Sequence, residues 1–260
     1  MVLAVDIGNI RTKVALFHPN GDLSFVAEMG TDRKLTEDQY AIELLDVFRL
    51  YDSDIKSVSG AILSSVVPSV TKVCSTAIHR LTNQTAIVVG PGVKTGLNIK
   101  ADVHNQLGSD IVASAVAATA LYPSPIIVIN AHTAVSFSYL NGTSFEGCAI
   151  MPGMTIALEA LSDNGAQLPQ ISMEHVDSAL GRNTTDSMRA GIIFGYAGAI
   201  DRLIEQLEEN SGAPAASVVI TGENFPEVFR HCKHDLIYDR HLLVNGLFRL
   251  YRKSTERTRR

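Results

Sequence analysis

Cysteine is scarce in this chain, charge of one sign is not in large excess, and long apolar runs are missing. Each shortage argues against a class of protein. The three cysteines, Cys74, Cys148 and Cys232, lie far apart and form no Cys-x-x-Cys pair. That spacing argues against a disulfide framework or a cysteine zinc site and suits a reducing compartment. The formal net charge is −5 and the pI is near 5.9, so no global field draws the chain to nucleic acid. The basic end, Arg252 and Lys253 through Arg259 and Arg260, reads as a solvated terminus rather than a binding arm. No apolar run approaches the roughly 20 residues that span a bilayer, and Val2-Leu3-Ala4-Val5 follows no basic leader. The expectation is a cytoplasmic protein with neither a membrane nor a nucleic acid as partner.

What is present is ordinary globular material. A length of 260 residues at 46% hydrophobic allows one large or two modest domains with buried cores. Val2 to Val5 and Lys13 to Phe17 read as strands around a polar turn, and Asn20-Gly21 as a hairpin-type turn. Glu37 to Tyr51 has helical spacing behind Thr36 as N-cap. Val58 to Val67 reads as a strand, Val70 to Leu81 as a helix, Ala86 to Val89 as a strand and Gln106 to Leu121 as an Ala-rich helix. After Pro123-Ser124-Pro125 the pattern restarts. Ile126 to Ile129 and Val135 to Leu140 flank a turn, and Asp6 falls on Asn130 when the two segments are overlaid. That repeat suggests a duplication with domains at 1–122 and 123–260. Thr184 to Glu209 is the longest helical stretch, with Asn183 and Asp186 placed as a capping box. Val218 to Thr221 is a strand running into Gly222.

A carboxylate ending a buried strand before a Gly-containing turn can hold hydrated Mg²⁺ and offer backbone N–H groups to phosphate. Asp6-Ile7-Gly8-Asn9, followed by Arg11-Thr12, has that form. The plain alternative is a turn aspartate capping its own backbone. A second turn of like form at Asn130 and a strand running into Thr221-Gly222 favour the first reading. Two such turns and a glycine at a strand end are the layout of the actin, hexokinase and Hsp70 class of ATP-binding folds.

Longer motifs carry a closer resemblance. In order they are Ser64-Ser65-Val66-Val67-Pro68, Gly90-Pro91-Gly92-Val93-Lys94-Thr95-Gly96-Leu97, Leu107-Gly108-Ser109-Asp110, Pro152-Gly153, Leu168-Pro169 and Gly181-Arg182-Asn183-Thr184. Met188-Arg189-Ala190-Gly191, Phe194-Gly195-Tyr196 and Asp239-Arg240-His241-Leu242 follow. The chain resembles the type III pantothenate kinases, which include the Bvg accessory factor-like proteins. The resemblance implies an α/β fold of duplicated ribonuclease H-like domains and a homodimer with its pantothenate pocket at the interface. It also implies ATP-dependent phosphorylation of pantothenate, the first step toward coenzyme A. Carried over by position, Asp6 binds Mg²⁺-ATP, and Gly8, Asn9, Thr12, Asn130, Thr133, Thr221 and Gly222 belong to the nucleotide. Asp110 takes the proton of the pantothenate hydroxyl, and Gly108, Ser109 and Thr184 belong to pantothenate.

Departures from the family pattern fall on ligand-contacting turns. Gly-Ala-Asp-Arg is Gly108-Ser109-Asp110-Ile111 here, so the arginine expected on the pantothenate carboxylate is isoleucine. Asp-x-Gly-Thr-Ala is Asn130-Ala131-His132-Thr133-Ala134. Asn130 replaces the acid tied to a monovalent cation, K⁺ or NH₄⁺, and leaves that cofactor without charge to hold it. His132 replaces a glycine that lets backbone approach phosphate. Ser138, Cys148, Gly165 and Glu223 also stand where Asp, Gly, Thr and Gly are common. Beside the working kinase, these changes admit a catalytically inactive homologue with a binding or regulatory role. An unrelated sugar kinase of the same fold fits the motifs less well. His231-Cys232-Lys233-His234-Asp235, Arg33 and Lys34 read as polar loops, and Ser64-Ser65 as strand structure. Gly191, Gly195 and Ala199 form a bare stripe on the long helix, suited to close approach by a second copy.

Overall fold

The computed structural model describes residues 1–100, 107–223 and 225–256. In chain order the first elements are β1 (Val2–Ile7), β2 (Arg11–Phe17), β3 (Leu23–Gly30), α1 (Glu37–Leu50), β4 (Gly60–Ser65), α2 (Pro68–Thr82), β5 (Ile87–Val88), β6 (Asn98–Ile99) and α3 (Ser109–Leu121). They are followed by β7 (Ile126–Ala131), β8 (Ala134–Asn141), β9 (Ser144–Pro152), α4 (Met154–Asn164), α5 (Thr184–Ser211), β10 (Ser217–Gly222), α6 (Pro226–Phe229), β11 (Ile237–Tyr238) and α7 (Leu242–Thr255). No helix among the described residues is long and apolar enough to cross a membrane.

One sheet has the order β3-β2-β1-β4-β5, the other β11-β10-β7-β8-β9-β6. In the first, β1, β2 and β3 run antiparallel in sequence while β4 lies parallel to β1. In the second, β7, β8 and β9 repeat the antiparallel run and β10 lies parallel to β7. The order β9-β8-β7-β10-β11 therefore duplicates β3-β2-β1-β4-β5, with β6 added beside β9. Helices occupy the same steps in both halves: α1 and the α4–α5 pair precede the parallel strand, and α2 and α6 follow it. This is the duplicated ribonuclease H-like α/β fold of the actin, hexokinase and Hsp70 class. The overlay of Asp6 on Asn130 holds in the registers, because Asp6 pairs with Ser64 and Asn130 with Thr221.

Local chemistry explains the boundaries. Thr36 and Gln39 form a reciprocal capping box at α1, which satisfies orphan N–H groups of its first turn. Pro68 opens α2, where its missing N–H costs nothing. Gly21, at φ +103°, turns β2 into β3. Several elements lack a strong local signal and were not expected: β3, β6, β9, β11, α4, α6 and α7. The expected helix start at Gln106 lies outside the described residues, and α3 is helical from Ser109.

The chain divides into two units. The first sheet buries Leu3, Val5, Ile7, Val14 and Leu16 against Tyr40, Leu44 and Phe48 of α1 and Val70, Cys74 and Ile78 of α2. Its other face packs Val2, Ala4, Ala15 and Phe17 against Ala113 and Val116 of α3 and Leu243, Val244, Leu247 and Phe248 of α7. Phe17 and Phe248 stack with ring centroids 4.7 Å apart. The last helix thus belongs to the first unit, although it follows the expected boundary at 122/123 by more than a hundred residues. Its basic residues are engaged as well: Lys253 Nζ donates to the Thr95 carbonyl at 2.8 Å and Arg252 pairs with Glu256 at 3.1 Å. Arg259 and Arg260 lie outside the described residues. The second unit has its own core, in which Ile127, Ile129, Val135 and Phe137 meet Ile193, Tyr196, Ile200 and Ile204 of α5.

Gly246 is the closest point between α7 and α3, since a Cβ there would enter the Ala113 carbonyl. Gly246→Val is expected to lower unfolding free energy by about 2 kcal/mol through overpacking. Gly191 on α5 has open space around it within the protomer, so Gly191→Ala should leave the protomer's own stability unchanged or raise it by a few tenths of a kcal/mol, up to about 1. Urea titrations of both variants check the contrast.

Candidate functional site

In the first unit, chemistry gathers where β1 ends. Along β1 and β2 the register pairs Asp6 with Lys13 and Ile7 with Thr12, so the pleat sends these pairs to opposite faces. Asp6 and Lys13 are 7% and 8% exposed, one carboxylate and one ammonium on the same face. Asp6 also lies beside Ser64 of the parallel strand β4. Burial, followed by the nearby Asp110 carboxylate, pushes the Asp6 carboxyl up to about 7, with the Ser64 hydroxyl and Lys13 pulling it back. The Asp110 carboxyl is also raised by burial, against the backbone N–H groups of Asp110 and Ile111 that favour its charge.

A serine clasp places Asp110. Ser109 Oγ lies 2.8 Å from Ser64 Oγ, accepts the Ser65 N–H at 3.1 Å and bonds the Ser65 carbonyl at 3.3 Å. Thr71 donates to Ser65 Oγ at 2.8 Å. These bonds fasten the start of α3 to the end of β4. Ser109 thereby anchors the first turn of α3, which carries Asp110. A Cβ on Gly108 would collide with Asp110 Oδ1 and displace that carboxylate. Ile111 is 7% exposed and belongs to the buried part of α3.

The rest of the turn is tight and exposed. Gly8 donates to the Arg11 carbonyl at 3.0 Å, and a Cβ on Gly8 would press on that oxygen at 2.9 Å. Asn9 is exposed, and its Oδ1 accepts from Arg33 Nη2 at 3.1 Å. Thr12 is fully buried on the face away from Asp6, where its hydroxyl meets that of Thr31 at 2.9 Å. The structure therefore brings Asp6, Ser64, Ser109 and Asp110 together, adds Lys13, and keeps the Thr12 hydroxyl apart.

Among the described residues, no three His, Cys, Asp or Glu side chains gather for a metal ion. Asp6 instead suits a hard cation held by one carboxylate, with water and phosphate completing its shell, as Mg²⁺ prefers. Its raised carboxyl value marks charge that lacks full compensation, which a divalent cation would supply.

The second unit repeats the geometry with neutral groups. Asn130, 2% exposed, donates through Nδ2 to Ser136 Oγ at a long 3.5 Å. Its Oδ1, the Thr221 hydroxyl and the Ser138 hydroxyl are buried without a hydrogen-bond partner among the described residues. Three backbone segments converge there. The Gly153 N–H donates to the Thr133 carbonyl at 2.9 Å, and a Cβ on Gly153 would enter the His132 carbonyl. Gly222, at φ +107°, lies against the Ala131 carbonyl and the His132 ring so closely that only glycine fits. Glu223 donates its N–H to the Ala131 carbonyl at 2.7 Å, and its carboxylate accepts from Thr155 Oγ1 at 3.4 Å. Thr184 is exposed at the first position of α5, behind Asn183, whose side chain accepts the Asp186 N–H at 2.8 Å.

A family model described as type III pantothenate kinase matches residues 2–206. The type III pantothenate kinase of Listeria monocytogenes serovar 1/2a is 34% identical over 259 residues, covering 99% of each chain. Among solved structures, the (R)-2-hydroxyglutaryl-CoA dehydratase component A of Acidaminococcus fermentans superposes with TM-score 0.59 at 11% identity, over 100% of this chain and 99% of that one. The activator of 2-hydroxyisocaproyl-CoA dehydratase from Clostridium difficile, with bound ADPNP, gives TM-score 0.59 at 9% identity, over 99% and 97%.

The buried Asp6 has a consequence for stability. A carboxyl whose folded value exceeds its unfolded value binds more protons when folded, so stability falls as pH rises from the ordinary carboxylate range toward about 7. Above that value the loss is complete. Asp6→Asn should therefore be more stable than the parent without metal or nucleotide. Its margin should grow by about 2 kcal/mol between pH 5 and pH 8. Urea unfolding at both pH values measures this, and an unchanged margin would show that Asp6 carries no buried charge.

Proposed function

The chain belongs to the type III pantothenate kinase family, and from that premise we propose that its site transfers the γ-phosphoryl group of ATP to the hydroxyl of pantothenate. The observation that carries this reading is the pair of desolvated carboxylates, Asp6 at a strand end and Asp110 at a helix start. Phosphoryl transfer needs positioned charge and an acceptor for one proton more than covalent chemistry. Asp110 fits the acceptor: its raised carboxyl value makes it a better base than an exposed aspartate, and the serine clasp fixes it. Asp6 is assigned to the divalent cation that accompanies ATP. When bound, that cation neutralises phosphate charge.

Gly8 and Asn9 are assigned to the phosphates, with Lys13 adding a buried positive charge on the Asp6 face. Thr12 braces the turn through Thr31. In the second unit, Thr133, Thr221 and Gly222 are assigned to the nucleotide. Asn130 offers a neutral carbonyl oxygen, so any monovalent cation there would be held by dipoles alone. The Glu223 carboxylate accepts from Thr155. Thr184 and Gly108 are assigned to pantothenate, and Ile111 leaves its carboxylate without the arginine common in the family.

The reaction is tested by coupled ADP release with pantothenate, Mg²⁺ and K⁺. Asp110→Asn keeps the shape and removes the base, so kcat should fall on the order of 10²–10⁴. Full turnover by this variant would remove Asp110 from the mechanism.

A homodimer through α5 belongs to the same reading. Gly191, Gly195 and Gly198 are exposed, and a Cβ on any of them meets nothing within 4 Å. A second helix could approach this surface closely. Gly195→Leu leaves the protomer room to fold and should convert dimer to monomer in light scattering at micromolar concentration. A Gly195→Leu protein that stays dimeric would place the interface elsewhere.

A further inference from the structure

The loop after β3, read from sequence as solvated, is fastened to the first phosphate turn at three points. The Thr31 N–H donates to the Ile10 carbonyl at 2.9 Å, and the hydroxyls of Thr31 and Thr12 bond at 2.9 Å. The third point is Arg33 Nη2, which donates to Asn9 Oδ1 at 3.1 Å. The neighbouring charges are used otherwise. Arg11 pairs with Glu28 at 3.1 Å, and Asp32 Oδ1 accepts the Lys34 N–H at 2.8 Å. Among the described residues Arg33 has no carboxylate partner, so its charge stays beside the turn.

A guanidinium only donates, so it can engage only the oxygen end of an amide. With Oδ1 engaged by Arg33, the two Nδ2 hydrogens are the side-chain donors that Asn9 can offer. An exposed asparagine at a turn tip otherwise samples several rotamers, and fixing it costs binding free energy. A charge-assisted bond also makes the Nδ2 hydrogens better donors by polarising the amide.

We propose that Arg33 is a positioning residue for the phosphoryl donor, holding Asn9 by its amide oxygen so that Nδ2 faces nucleotide phosphate. This rests on the assignment of the Gly8-Asn9 turn to ATP. The loop 31–34 is then part of the nucleotide site, supplied from the far end of β3.

The test compares the parent with Arg33→Ala, Lys34→Ala, Asn9→Ala and the Arg33→Ala/Asn9→Ala double variant. The readouts are ATP KM, pantothenate KM and kcat from ADP release, Mg²⁺-ATP Kd from calorimetry, and Tm. Loss of one charge-assisted bond should raise ATP KM and Kd about tenfold in Arg33→Ala, with pantothenate KM and Tm unchanged. Lys34→Ala, which removes the same charge one residue away, should match the parent. The double variant should bind ATP within about twofold of Asn9→Ala, because the two residues act as one unit. Equal effects of Arg33→Ala and Lys34→Ala would overturn the proposal, as would multiplicative losses in the double variant or a parallel rise in pantothenate KM. A parent that binds Mg²⁺-ATP without phosphorylating pantothenate would defeat the substrate assignment alone, and calorimetry would still decide the role of Arg33. A parent that binds no Mg²⁺-ATP would overturn both.

Discussion

Burying a carboxylate without a full counter-charge is costly, and the first unit does so at Asp6 with the half-buried Asp110 carboxylate nearby. Asp6 and Asp110 are held in that state by parts that cannot yield easily. Asp6 sits on a central strand whose two faces are packed by separate clusters. Asp110 is fixed by Ser109, which reaches both Ser64 and Ser65, and by a glycine that leaves room for its carboxylate. Rigid surroundings are what allow unfavourable electrostatics to persist.

The two halves of the chain show how such a device changes while its frame stays. Asp6, Lys13 and Ser64 in the first sheet correspond to Asn130, Ser136 and Thr221 in the second, by strand order and register. The first set carries charges of both signs; the second is neutral and includes buried oxygens without a partner among the described residues. The backbone demands are similar, with a glycine at each tight point: Gly8 in one unit, Gly153 and Gly222 in the other. Steric constraints on a turn bear on the main chain, whereas charge resides in side chains that can be exchanged singly.

Much of this was legible in the sequence, and the failures have physical causes. The inner strands are continuous apolar runs, α1 carries its capping signal, and the strand-end position of Asp6 follows from Val2-Leu3-Ala4-Val5. The outer strands β3 and β9 are only half buried, which blurs the alternation that identifies strands. The face on which Thr12 or Lys13 lies depends on the length of the turn after β1, since a slip of one residue exchanges them. Arg33 and Asn9 are 24 residues apart, and no local pattern announces their contact. The partners of Ser109 likewise come from β4, some 44 residues away, which no local pattern announces.

The return of α7 to the first unit bears on the order in which the protein can be made. Synthesis runs from the N-terminus, and domains generally fold as units while the chain emerges. Here Val2, Ala4, Ala15 and Phe17, which leave the ribosome long before α7, are covered in part by Leu243, Val244, Leu247 and Phe248 of that helix. That face of the first sheet stays uncovered there while the second unit is translated. The nascent chain therefore carries a patch of partly bare apolar strand until α7 has been made.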